Sequence, residues 1–372
     1  MRNGLYVHIP FCLKKCAYCD FASSNEPVSV HKKYFDALKK EISLYESSLI
    51  DTIFIGGGTP SSVDEKYIYE LLDTISRYMK IDTAAEITIE LNPGTIDKNK
   101  LISYKSCGIN RISLGTQSMQ DNELLSLGRI HNSKQIIDAV SLIKQCGFKN
   151  YNLDLMLATP DQTIDSLRDT LEKAVFLSPT HISAYSLIIE EGTPFYEMYN
   201  KGILNLPNED DERKMYDMVI FLLRAYGYMQ YEISNFAKPG YECKHNLKYW
   251  KCLPYIGVGA AAHSYYNGAR YANTSNTYEY ISMINENGSA KITNQTLSFD
   301  ERVSDYIIMA LRLTKGIELD DFYSKFGFRF EEKYKEIIDK YIQTNFLTRT
   351  DTHISFTKSG FSVSNSILCE FV

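Results

Sequence analysis

The sequence predicts an α/β fold, and three observations carry that expectation. Apolar runs alternate with amphipathic stretches through the first two thirds of the chain, six such βα units can be counted, and the distinctive polar and cysteine motifs fall where the apolar runs end. Alternation of this kind argues for parallel strands covered by helices. Six units fall short of the eight that close a full barrel, and periodicity alone leaves a doubly wound sheet open as well. In either architecture a ligand belongs at the C-terminal ends of the strands.

Residues 5–9 read as the first strand and 30–45 as the first helix, with Tyr34, Leu38, Ile42 and Tyr45 on one face. Residues 52–55 form a β-branched strand that ends in Gly56-Gly57-Gly58-Thr59-Pro60, and a helix over about 64–79 follows. Strand 86–91 precedes helix 98–107, and strand 111–114 precedes helices after Ser118 and Ser133. Strand 151–157 leads to helix 163–177, and strand 181–187 to a helix over 210–226. From 235 to 287 the pattern breaks into Gly-, Tyr- and Asn-rich sequence that reads as loops with short strands. After about residue 299 it turns helical, over 302–313, 319–326 and 331–343, and ends in a hairpin-like pair, 347–349 and 353–356. Helices followed by a β-ribbon look like a small winged-helix domain. The expected organisation is a core over 1–234, a loop-rich extension over 235–298 and a C-terminal domain over 299–372.

Length and composition narrow the class. At 372 residues the chain exceeds one typical core. Hydrophobic residues make up 44% and charged ones 23%, which is ordinary for a soluble globular protein. The net charge is −6 with Lys and Arg spread along the chain, which argues against nucleic acid as the main partner. No run approaches the roughly eighteen apolar residues of a membrane span. The strand-like start carries the expectation of no signal peptide. Eight cysteines, three of them clustered, suit a reducing cytoplasm rather than a disulfide scaffold.

The cluster is Cys12, Cys16 and Cys19, in the stretch Tyr6-Val7-His8-Ile9-Pro10-Phe11-Cys12 through Cys19-Asp20-Phe21. Its spacing is C-x3-C-x2-C. Thiolates this close, on a short loop after an apolar strand, can converge on one soft metal centre. A structural zinc site wants four ligands and would have to recruit His8 or a distant cysteine. A cubane iron–sulfur cluster can use three and leave one iron open to an exchangeable ligand. Ferredoxin loops use C-x2-C-x2-C spacing, which disfavours a plain electron carrier.

Other residues stand out at strand ends. The Gly56–Gly58 run lets backbone approach a ligand closely, and without a Walker lysine it is no P-loop. Glu90, Gln117 and Arg129 follow or end strands, with a capped or solvated loop residue as the bland reading of each. Asp154 lies amid Leu153, Leu155, Met156 and Leu157, where a carboxylate is costly unless paired. His8, on the first strand, reads as a satisfied core histidine or as a donor beside the cysteine site. His245-Asn246-Leu247-Lys248-Tyr249-Trp250 holds the only Trp of the chain. Taken bare, it is a loop whose Trp fills the core, yet imidazole beside aromatic faces also suits a ligated, flat porphyrin.

These residues carry a resemblance. The cysteine stretch is similar to the CxxxCxxC signature of the radical S-adenosylmethionine (SAM) superfamily. Its longer match resembles the branch that contains oxygen-independent coproporphyrinogen III oxidase and a family of haem chaperones. The resemblance implies a partial (β/α)6 TIM-like barrel, a 4Fe–4S cluster on Cys12, Cys16 and Cys19, and SAM chelating the open iron. One electron into the cluster would then cleave a carbon–sulfur bond of SAM, giving methionine and a 5′-deoxyadenosyl radical. It also implies SAM contacts from Tyr6, Tyr18, Gly57, Gly58, Thr59, Glu90, Gln117, Arg129 and Asp154, the glycine turn matching a GGE-type motif with Gly58-Thr59 where an acidic residue is usual. Residues 245–250 resemble the HNxxYW motif of the chaperones, which implies haem contacts from His245, Asn246, Tyr249 and Trp250. The oxidase carries CxxxCxxCxC and an N-terminal extension. This chain has Phe21 at the fourth cysteine position and eleven residues ahead of Cys12. The resemblance therefore favours a haem chaperone with haem or porphyrin as cargo, served by a flavodoxin- or ferredoxin-like electron donor and a haem-acceptor protein. The alternative is the oxidase, which decarboxylates two propionates of coproporphyrinogen III.

Overall fold

The computed structural model describes residues 2–372 and begins with β1 (Asn3–Ile9). Leu5, Val7 and Ile9 are fully buried and pack in one apolar cluster with residues of α1 (Val28–Ser43). Gly4, Tyr6 and His8 alternate with them and turn to the opposite face, as a two-residue period requires. Five units repeat the plan. They are β2 (Leu49–Gly57) with α2 (Glu65–Tyr78), β3 (Lys80–Leu91) with α3 (Lys98–Ser106), and β4 (Arg111–Gln117) with α4 (Asp121–Ser126) and α5 (Ser133–Gln145). Next come β5 (Asn150–Leu157) with α6 (Ile164–Phe176), and β6 (His181–Ser186) with α7 (Pro194–Asn200) and α8 (Glu209–Ala225).

β1 to β6 pair in sequence order and all are parallel, which requires a crossover after each strand. Local chemistry starts several of those crossover helices. Asp64 and Asp97 accept backbone N–H groups at the starts of α2 and α3, and Asn132–Gln135 and Thr163–Ser166 form capping boxes on α5 and α6.

The sheet continues past both ends of this core. β7 (Met229–Gln230) and β8 (Asn235–Ala237) add antiparallel beyond β6. After α9 (Lys244–Trp250), β9 (Tyr255–Val258) pairs parallel to β1. β10 (His263–Tyr266), β11 (Ala269–Asn273) and, after α10 (Thr277–Asn287), β12 (Lys291–Thr296) extend it antiparallel. The strand order β12-β11-β10-β9-β1-β2-β3-β4-β5-β6-β8-β7 runs open from one edge to the other. The reading of residues 235–287 as loops with short strands holds for the strands, which are three to five residues long, and is corrected by two helices in the region, α9 and α10. β9 nonetheless makes β1 a central strand, paired on both sides.

The C-terminal part gathers its own apolar cluster around Phe322, Phe330 and Ile354. It comprises α11 (Phe299–Ala310), β13 (Ile317–Glu318), α12 (Leu319–Phe326), α13 (Phe330–Lys333), α14 (Lys335–Gln343), β14 (Leu347–Arg349), β15 (His353–Phe356), α15 (Lys358–Ser362) and α16 (Ser364–Leu368). The helix expected over 331–343 is broken at Tyr334, whose ψ of 23° leaves the helical region. The ribbon β14–β15 gains a third strand from β13. Among the described residues no helix is long and apolar enough to cross a membrane.

Candidate functional site

The loop after β1 is stitched to the strand ends beside it. Cys12 donates its backbone N–H to Ser24 (3.0 Å) and Ser24 donates to Pro10 (2.8 Å), closing the loop on itself. Gly58 and Thr59 donate to the carbonyls of Ile9 and Phe11 (2.8 Å each), so the glycine turn after β2 lies against the cysteine loop. Gly58 has no room for a side chain there: a Cβ would meet the carbonyl oxygens of Phe11 and Ile9 at 2.8 and 2.9 Å. From the other side Ala17 donates to Leu127 (3.2 Å), which brings Arg129 over the loop.

Cys12, Cys16 and Cys19 line one cavity at the C-terminal ends of the parallel strands, together with Tyr18, Gly57, Gly58, Thr59, Glu90, Gln117, Arg129 and Asp154. Two of the sulfurs already meet polar partners: Thr59 Oγ1 stands 3.4 Å from Cys12 Sγ, and Arg129 Nη1 donates to Cys16 Sγ at 3.4 Å. Donors of this kind hold thiolate and tune a bound cluster. Arg129 also donates to Gly115 O (3.1 Å) and approaches the Tyr18 hydroxyl (3.5 Å). Among the described residues no three His, Cys, Asp or Glu side chains close on the space of a single ion. A cubane instead offers iron corners to separated thiolates, and three sulfurs on one cavity wall fit that demand. Among the described residues, two buried polar atoms in the same cavity, Gln117 Oε1 and Arg129 Nε, have no hydrogen-bond partner, which fits a polar ligand there.

The acidic pair is held by different means. Glu90 Oε2 accepts the Gly57 N–H at 3.1 Å, and burial, followed by the charge of Asp154, pushes the Glu90 carboxyl up to about 8. Asp154 accepts Asn152 Nδ2 (2.6 Å) and Ser113 Oγ (3.1 Å), and burial raises its carboxyl too. Arg111, buried at the start of β4, offsets both charges from below. A cation entering between the two carboxyls would be welcomed by both.

A second cavity of about 590 Å³ shares Phe21 with the first and is walled by aromatic side chains, among them Tyr6, Tyr249, Trp250 and Tyr255. It reaches α9, a helix with no side-chain cap of its own at its start. Glu86 of β3 supplies the missing acceptor, taking the N–H groups of Lys244 (3.2 Å) and His245 (3.1 Å). Lys248 pairs with Asp51 at 2.7 Å and ties the helix to β2. His245 is buried, with Nδ1 bonded to Thr52 Oγ1 (2.9 Å) and Nε2 to the Tyr249 hydroxyl (2.8 Å). Burial above all, then the Lys248 and Arg111 charges, push its imidazole down to about 3.

Eight of the nine SAM residues implied by the resemblance thus line the cysteine cavity. Tyr6 is the exception: it lines the aromatic cavity, bonds His8 Nδ1 (3.0 Å), and has its phenol raised by burial and then by the Glu90 charge. Of the four residues implied for haem, Asn246, Tyr249 and Trp250 line the aromatic cavity and His245 does not. Trp250 is half-buried on that wall and does not fill the core. Sequence reasoning missed Ser113 and Tyr185 in the first cavity and His263 and Met309 in the second. The first two share inward strand faces with Gly115 and Asp154, since register pairs Gly115 with Asp154 and Asp154 with Ser183. Counting in steps of two from known site residues was the available signal.

Residues 6–174 match the radical SAM superfamily, and residues 297–363 match the HemN C-terminal domain. The chain is 34% identical to the heme chaperone HemW of Lactococcus lactis, covering 100% of this chain and 97% of that protein. It is 35% identical to HemW of Bacillus subtilis (100% and 99%) and 33% identical to HemW of Escherichia coli (98% and 97%). Its fold is that of the coproporphyrinogen III oxidase HemN from E. coli, with a TM-score of 0.86 at 22% identity over 99% of this chain and 89% of that one. The chain belongs to the radical SAM superfamily and, within it, to the HemW family. Membership of the superfamily implies a 4Fe–4S cluster and SAM.

Proposed function

We propose that this chain is a haem chaperone that binds haem in the aromatic cavity and passes it to an acceptor protein. Full-length identity to relatives named heme chaperone HemW supports the role. The carrying observation is the placement of Asn246, Tyr249 and Trp250 on a porphyrin-sized aromatic cavity that adjoins the cysteine cavity through Phe21.

In this reading Cys12, Cys16 and Cys19 hold the 4Fe–4S cluster, with Arg129 and Thr59 as hydrogen-bond donors to its sulfurs. The glycine turn, Glu90 and Asp154 receive the ammonium and ribose hydroxyls of SAM, while Arg129 and Gln117 face its carboxylate. When bound, the cluster and SAM together supply one-electron chemistry at a carbon–sulfur bond. Tyr6 and His8, hydrogen-bonded to each other, wall the haem cavity on the side of that centre. His245 holds the Tyr249 hydroxyl and so fixes one face of the haem site. The organisation that serves this is a barrel core over 1–234, an extension over 235–298 that carries α9 and the added strands, and a C-terminal unit over 299–372 whose Met309 reaches the cavity. Eight unpaired cysteines favour the reducing cytoplasm, where a flavodoxin- or ferredoxin-like donor would feed the cluster.

Haem titrated into the anaerobically reconstituted protein should give a saturable Soret band at one haem per chain. Trp250→Phe should weaken binding while leaving the cluster absorption unchanged. A parent protein that gives no saturable Soret band overturns the proposal.

A further inference from the structure

Two imidazoles line the aromatic cavity, His8 and His263, and only His263 has ring nitrogens without a hydrogen-bond partner among the described residues. His8 is buried, with Nδ1 on the Tyr6 hydroxyl (3.0 Å) and Nε2 on Ala22 O (2.9 Å). His245, which opens the signature motif, lies outside the cavity wall and has both nitrogens bonded as well. Ligating iron through either would break the hydrogen bond on the ligating nitrogen and leave its buried partner unpaired. His263 lines the cavity from the first position of β10, is exposed, and makes no side-chain hydrogen bond among the described residues.

The backbone holds this residue in place. Gly257 of β9 packs so closely under His263 that a Cβ on it would lie 2.0 Å from the His263 carbonyl oxygen. The turn into β10 passes through Ala261 at φ 60°, a left-handed conformation that costs a non-glycine residue energy. Ala261 also lines the cavity. Strain stored beside a binding cavity to aim the next strand is a recurrent feature of functional sites. Met309, whose thioether is also an iron-compatible donor, lines the same cavity.

We propose that His263, rather than His245, is the axial iron ligand of the haem bound in this cavity. The inference rests on the haem-chaperone reading and adds the ligand to it. His245 then acts as a positioning residue through Tyr249, and His263 touches the metal.

The test is a haem titration of the full-length, cluster-reconstituted protein and two variants, read by Soret position, resonance Raman spectrum and Kd. His263→Ala should shift the Soret band, lose the iron–imidazole signature and weaken binding by about tenfold. Added free imidazole should restore the band position. Because His263 is exposed on a strand end, this variant should keep the cluster absorption of the parent. His245→Ala should keep the parent's Soret position. Should His263→Ala bind haem with the parent's spectrum and affinity, the assignment is wrong while the chaperone reading stands. Should the parent itself bind no haem, both fall together.

Discussion

Glu90 concentrates the electrostatics of the cysteine cavity in one titrating group. Its carboxyl is raised to about 8 by burial and by Asp154, so near neutrality it is largely protonated in the unliganded protein. A sulfonium ligand favours the ionised form of the nearby carboxyl, so SAM binding below about pH 8 should release a proton from Glu90. The sign follows: SAM affinity should rise as pH increases from about 6 to 8 and level off above, and Glu90→Gln should flatten that rise while keeping the cluster spectrum. Calorimetry in buffers of different ionisation enthalpy checks the proton release. A pH-independent affinity in the parent removes Glu90 from the site. Asp154 was legible in the sequence because a carboxylate among leucines must be paired. Arg111 was not, since nothing local distinguishes a buried arginine from a surface one at a strand start.

At the scale of elements, α9 shows how a motif can be readable while its use is not. Sequence marks His245, Tyr249 and Trp250 as a set, but the helix is held by Glu86 and Asp51, far away in the chain. No local window contains those partners. His245→Ala should leave the Thr52 hydroxyl and Tyr249 hydroxyl without their acceptor or donor, costing about 1–3 kcal/mol of stability. The histidine also carries an acid sensitivity: with its folded-state value down to about 3, stability from the neutral ring is present above about pH 6.5 and lost as pH falls toward 3. Urea denaturation at pH 7 and pH 5 should show a larger loss at pH 5 for the parent than for the variant. Equal stability of the two proteins at both pH values would show that the ring contributes nothing.

For the whole molecule, the six parallel units were legible because long helices and buried strands repeat at a scale that periodicity detects. The strands beyond β1 were legible only as short strands among loops, because β9 to β12 are four to six residues long and only β9 pairs with β1 itself. That extension supplies much of the wall of the aromatic cavity, where Asn246, Tyr249 and Trp250 were readable as a motif while His263 and Met309, which no motif marks, were not. The decisive measurement is a single anaerobic incubation with reductant, SAM, coproporphyrinogen III and haem, followed by separation of the protein and analysis of the tetrapyrroles. Haem should be recovered intact with the protein, and coproporphyrinogen should be unchanged. Conversion of coproporphyrinogen to protoporphyrinogen, with haem left unbound, would contradict the chaperone reading.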